Sequence, residues 1–267
     1  MISSSNIAAI CFTLVISILL PIAIWIWLGS TRKRVSIPVI AGAAGFIIAQ
    51  FVIRLPILQL LWKTDSFAKF VKGNKLIYFI FLAFTAALIE TAFRLLILKG
   101  LLKDRLSFDC AFACGLGHGG AESIALIGLT YINNLVISIM INSGAASDLI
   151  NDSVIAALRD TPASSFIAAG LERVFVLAFQ ISLSVILSYF IVMGRTWTGA
   201  ALCFGVHFAV DFVIPLFLSS GISVWICEAI TLAVAVAAVV VSLLLKKIFP
   251  VMVIPKDAAE DALSKGF

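Results

Sequence analysis

Residues 76–98 read LIYFIFLAFTAALIETAFRLLIL, an apolar run long enough to cross a bilayer as a helix, because about 20 residues rising 1.5 Å each cover a hydrocarbon layer of roughly 30 Å. Within it sit Glu90 and Arg94, two side chains that hydrocarbon rejects. An ionisable group at membrane depth costs about 3 kcal/mol or more unless it pairs, binds an ion or lines a wet cavity, so each is a functional candidate. Six further stretches share the length and character of this one: Ile7–Leu28, Ile37–Trp62, Leu106–Gly128, Phe166–Met193, Thr198–Leu218 and Val224–Leu245. The chain therefore predicts an all-α polytopic membrane helix bundle of seven spans, with 1–249 as one transmembrane domain and 250–267 as a short cytoplasmic tail. The count rises to eight if Leu129–Asn142 re-enters the membrane; the alternatives are that it protrudes or bends at Gly128.

Composition points the same way. Hydrophobic residues make up 62% of the chain and charged residues 12%, against about 25% charged in soluble domains, and the mean hydropathy is +1.17. The net charge of +5 is spread over segment ends and forms no basic patch with interleaved aromatics, which argues against nucleic acid. Arg32-Lys33-Arg34, then Lys99, Lys103 and Arg105, then Arg195, then Lys246-Lys247 all fall on one side of the seven-span topology. The positive-inside rule makes that side cytoplasmic, with the N-terminus outside, the C-terminus inside, and a bacterial inner membrane as the natural setting. The loop Ser143–Ser165, with Asp148, Asp152 and Asp160, suits the outside, whereas Lys63, Lys69, Lys72 and Lys75 run against the rule. The first apolar segment lacks a basic stretch before it and a small-residue cleavage motif after it, so it reads as a retained anchor. Five cysteines within or beside apolar segments suggest buried packing thiols more than a disulfide framework.

Two more intramembrane signatures join Glu90-x-x-x-Arg94: Gly117-His118-Gly119-Gly120-x-Glu122 on the fourth span and His207-x-x-x-Asp211 on the sixth. The chain has 2 histidines and both are here. Residues four apart share a helix face, so each of these helices presents one imidazole and one carboxyl to a common centre. Imidazole nitrogen and carboxylate oxygen are donors for zinc-like divalent ions, which makes His118, His207, Glu122 and Asp211 candidate metal ligands. Glu90 reads either as a general base for water, held ionised by Arg94, or as half of a structural ion pair. Glu90, His118 and His207 lie at similar depth, roughly 13–20 Å from the cytoplasmic ends of their spans. Cys110, Cys114 and Cys203 precede the histidines at four-residue steps and are geometrically conceivable as extra ligands. The glycines around His118 leave room for a neighbouring helix or for a substrate chain, and the sequence does not choose between them. Glu172-Arg173 on the fifth span is assigned to structure ahead of the site.

On these motifs the chain resembles the CPBP superfamily of glutamate-type intramembrane proteases, which includes the type II CAAX prenyl endopeptidases, and within it the YhfC-type intramembrane metalloproteases. The resemblance runs from about the third span to the sixth. It implies a Glu-Glu-x-x-x-Arg motif matched by Glu90 and Arg94 with Ile89 in the first position, a histidine matched by His118, and a His-x-x-x-Asn motif matched by His207 with Asp211 in the last position. Gln180 stands where a third histidine would be expected. The activity implied is peptide-bond hydrolysis in or near the bilayer on a membrane-embedded or lipid-anchored protein substrate, with Glu90, Arg94, His118, His207 and Asp211 as the catalytic set. Glu90-Thr91-Ala92-Phe93-Arg94 and Gly205-Val206-His207 are also similar to helices of the anterior-pharynx-defective subunit of gamma-secretase, which implies a non-catalytic scaffold as the alternative. An ion-coupled transporter is a third reading, weakened by the lack of an inverted repeat.

Overall fold

The computed structural model describes residues 1–32, 34–145 and 150–249; Lys33, Asp148 and the tail 250–267 lie outside it. Seven helices are long and apolar enough to span a membrane: α1 (Ser4–Thr31), α2 (Ser36–Trp62), α4 (Lys75–Leu101), α5 (Phe108–Asn142), α7 (Ala163–Val192), α8 (Thr196–Ser219) and α9 (Val224–Ile248). Two short helices, α3 (Asp65–Gly73) and α6 (Asp152–Asp160), sit in the loops after α2 and α5. The chain is thus an all-α, multi-pass integral membrane protein. Leu129–Asn142 forms no eighth span: it continues α5, a helix of 35 residues.

α7 is the central post, packed against α1, α5, α8 and α9, while α2 lies along α5, and α8 along α4. Close approach is set by glycine. A Cβ on Gly117 would strike the Val39 backbone carbonyl of α2, one on Gly42 would strike the Cys114 carbonyl of α5, and one on Gly115 would fall 3.0 Å from the Gln180 carbonyl of α7. In lipid no hydrophobic effect drives helices together, so this backbone-to-backbone packing carries much of the association. The glycines around His118 therefore seat neighbouring helices and leave no room there for a substrate chain.

Two of the backbone irregularities fall at the depth of the polar residues, while a third π-helical turn, Ile97–Leu101, closes α4. α2 widens to a π-helix over Ile48–Arg54, just before Pro56, which has no N–H to offer the preceding turn. α5 does the same over Ser123–Gly128, directly after Glu122. In α1, Pro21 removes the donor that would serve the Ser17 carbonyl, and the Ser123 hydroxyl donates to that carbonyl from α5 at 3.0 Å.

The ends of the bundle follow the charge pattern. Arg32 pairs with Asp109 at 3.0 Å and Lys246 lies 5.0 Å over the Phe108 ring, so the α1, α5 and α9 ends bearing them are together. At the opposite end, the Asn6 amide donates to the Leu158 and Thr161 carbonyls at 2.9 and 3.0 Å.

Candidate functional site

Glu90 is 4% exposed and receives groups from three directions. His118 Nε2 of α5 lies 3.0 Å from its Oε2, His207 Nε2 of α8 lies 3.8 Å from the same oxygen, and the Gln50 amide of α2 donates to its Oε1. All three helices reach Glu90 about 16–21 Å from the basic end of the bundle, at 1.5 Å per residue. The common depth expected from sequence is what the structure has.

Glu90, His118 and Glu122 bring one donor atom each within 4.8 Å of one another. The sequence named His118, His207, Glu122 and Asp211 as metal donors and kept Glu90 for water. The structure puts Glu90 itself into the donor group, with His207 on its edge and Asp211 Oδ2 next in line, 3.5 Å from His207 Nε2. Two carboxylates and an imidazole so close together, all buried or nearly so, fit the nitrogen-and-oxygen preference of a small divalent ion. The imidazoles are walled by aromatic edges, Phe46 at 5.3 Å from His118 and Phe179 at 6.0 Å from His207.

Arg94 departs from expectation. Although four residues from Glu90, it forms no ion pair among the described residues; its Nη2 donates to the side-chain Oε1 of Gln180, and the Gln180 side-chain amide nitrogen donates to Glu122 Oε2 at 2.7 Å. A helix spacing of four puts two residues on one face but does not fix their rotamers, and Gln180 on α7 captures the guanidinium first. The position read as a missing histidine is thus a bridge between α4 and α5. Arg173 also moves into the site: its Nη1 lies 3.5 Å from Glu122 Oε1 and its Nη2 2.6 Å from Glu172 Oε1.

Two site residues went unread in the sequence, Gln50 and Arg54. Arg54 Nη1 donates to Gln50 Oε1 at 3.0 Å, its Nη2 to the Leu82 carbonyl at 2.8 Å and its Nε to Thr85 Oγ1 at 3.2 Å. A Gln-x-x-x-Arg pair inside an apolar span was the available signal, of the same kind as Glu90-x-x-x-Arg94. The cysteines stay out: Cys110, Cys114 and Cys203 belong to the apolar core, and Cys203 Sγ contacts the Leu183 carbonyl at 3.4 Å.

Glu90, Glu122, Arg173, Gln180, His207 and Asp211 form the polar wall of a cavity of about 330 Å³, and His118 reaches it through Glu90. It has room for several water molecules, at a depth where the surrounding medium offers neither donors nor acceptors.

The chain is 28% identical over 202 residues to the uncharacterized membrane protein YhfC of Bacillus subtilis (strain 168), covering 71% of this chain and 76% of that one. No solved structure matches it. The model of the YhfC intramembrane metalloprotease family matches residues 16–232, a stretch that contains every polar group of the cavity, and the chain belongs to that family.

Proposed function

We propose that the protein is an endopeptidase that hydrolyses a peptide bond inside the membrane, with Glu90 as the general base. The observation that carries this reading is the convergence of His118 and His207 on one oxygen of a buried glutamate that also lines a cavity. Beside that base, His118 and Glu122 with His207 and Asp211 would hold a divalent ion, zinc by the character of the donors. When bound, such an ion supplies Lewis acidity toward a carbonyl oxygen and lowers the pKa of water.

The chain's own residues do the rest. Gln50 ties down Oε1 of Glu90 and leaves Oε2 facing the histidines, so the carboxylate has one oriented edge with which to take a proton from water. Asp211 lines the cavity with its Oδ2 3.5 Å from His207 Nε2, the nitrogen that also faces Glu90, so it holds that edge of the imidazole beside the glutamate. Gln180 holds Glu122 and is itself held by Arg94, fixing the second carboxylate. Phe46 and Phe179 keep lipid chains off the imidazoles.

The grouping of Arg32, Asp109, Phe108 and Lys246 at one end supports a cytoplasmic placement of that end, an outside N-terminus and a bacterial cell membrane. The test is cleavage of membrane-anchored substrate proteins in proteoliposomes by the wild type and by Glu90→Gln. Loss of at least 1000-fold, on the order of other general-base deletions, is expected. Cleavage at the wild-type rate in the variant overturns the reading, and a wild type that cleaves nothing yet depends on Glu90 for partner assembly moves the assignment to a scaffold.

A further inference from the structure

Nearly every glycine in the middle of a span is used. Gly42, Gly45, Gly115, Gly117, Gly119, Gly120, Gly128, Gly170 and Gly199 each face a neighbouring residue so closely that an added Cβ would come within 3.0 Å of it. Gly205 of α8 is different: a Cβ there would meet nothing within 4 Å. Glycine inside a helix lowers its stability by about 1 kcal/mol relative to alanine, and none of the described residues fills the space.

That space is the wall of an apolar groove of about 290 Å³ between α8 and α9, lined by Gly205, Ala209 and Val213 on one side and Ile230 and Val234 on the other. α8 and α9 follow each other in sequence but meet sparsely, since α8 leans on α4 and α9 on α7. Gly205, Ala209 and Val213 are four residues apart, which puts them on one face in a strip about 12 Å long. Two small residues at that spacing let a second helix backbone come close, whereas an acyl chain has no need of a flat small face. The groove runs into the polar cavity, because Val210, Ile214 and Thr231 line both. His207, which lines that cavity, has its Nδ1 buried with no hydrogen-bond partner among the described residues. At the junction Pro215 takes away the N–H that would bond the Asp211 carbonyl, leaving a backbone acceptor beside the groove.

We infer that the α8–α9 groove is the docking site for an apolar transmembrane helix of the substrate, which lies on Gly205 and Ala209 and passes its end into the cavity. The inference rests on the peptidase reading for what happens next, but docking itself needs no hydrolysis. The substrate class is then a membrane-spanning protein entering sideways from the lipid, with small or slender side chains on the docking face.

The experiment uses the full chain with Glu90→Gln and Cys11→Ser, the remaining cysteines being buried, reconstituted in vesicles. Ala209→Cys is compared with Leu19→Cys, a lipid-facing position 55% exposed on α1. The probe is a synthetic leucine–alanine transmembrane peptide with a central cysteine, and disulfide formation is read on gels. Expected is at least tenfold more cross-link at Ala209→Cys than at Leu19→Cys, abolished by adding Gly205→Phe and reduced by the milder Gly205→Leu. Equal cross-linking at both positions, no effect of either Gly205 variant, or selective labelling by a dodecyl thiosulfonate but not by the peptide each overturns docking of a helix. Because the cross-link is measured without catalysis, its failure and the failure of the peptidase reading are seen separately.

Discussion

Gln50 donates a hydrogen bond to the carboxylate oxygen of Glu90 that faces away from the histidines, and Arg54 holds Gln50 in place from one turn along the same helix. The glutamate is thus pinned from α2 while its other oxygen stays with His118 and His207. Hydrogen bonds to a charged group contribute about 1.5–3 kcal/mol. Gln50→Ala is therefore expected to lower kcat on a membrane substrate by about 10- to 100-fold with little change in KM, and Gln50→Asn to restore part of it. A KM effect with unchanged kcat would assign Gln50 to substrate binding instead.

Elemental analysis of purified protein should give close to one divalent ion per chain. His118→Ala and Glu122→Ala are expected to remove it, and Asp211→Asn, beside His207 Nε2, to weaken affinity by about 10- to 100-fold. Cys110→Ser and Cys114→Ser should leave the metal content as in the wild type, because both thiols lie in the apolar core. Retention of metal by the His118 variant would refute the donor set.

Gln180→Leu removes the bridge between Arg94 and Glu122. Arg94 is 1% exposed, and its Nε and Nη1 already lack partners, so the variant strands a buried cation. A loss of about 3–5 kcal/mol is expected, read as a lower unfolding midpoint in detergent, and a shorter loss in Gln180→Glu, which keeps an acceptor for the guanidinium. Equal midpoints for wild type and Gln180→Leu would show that the bridge is dispensable.

Two glycine-to-alanine changes should go opposite ways. Gly117→Ala pushes a methyl group into the Val39 carbonyl and is expected to destabilise by about 1–3 kcal/mol, as overpacking does. Gly205→Ala meets open space and should stabilise α8 by about 0.5–1 kcal/mol. Thermal unfolding of the two variants side by side checks the pair.

The sequence shows much of this, for a physical reason: hydrocarbon tolerates so few ionisable groups that Glu90, His118, Glu122, His207 and Asp211 stand out in apolar runs, and helical rise alone puts them at one depth. What it cannot show is which rotamers meet. Arg94 turns to Gln180 instead of Glu90 because a residue on α7, 86 positions away, offers a closer acceptor. Arg173 was set aside for structure since it lies well up α7 from Gln180, yet Glu122 reaches it at 3.5 Å. Gln50 and Arg54 are legible by the same rule as Glu90, polar groups inside an apolar span, although neither is a usual metal ligand or base. The single long α5 was hidden from hydropathy, which measures how apolar a stretch is and not where the helix ends.

The bond from Ser123 to the Ser17 carbonyl changes how α1 is regarded. With Pro21 seated on Gly120 and Ser17 held by the residue after Glu122, the first helix behaves as a keystone: it locks the widened turn of α5 that begins directly after Glu122. The Asn142 side chain exchanges two hydrogen bonds with the backbone of Ile2, at 2.7 and 2.9 Å, and secures the far end of the same helix. A shortened form without α1 would lose more than a membrane anchor, and its distant glutamate would drift even though no residue near the histidines had been touched.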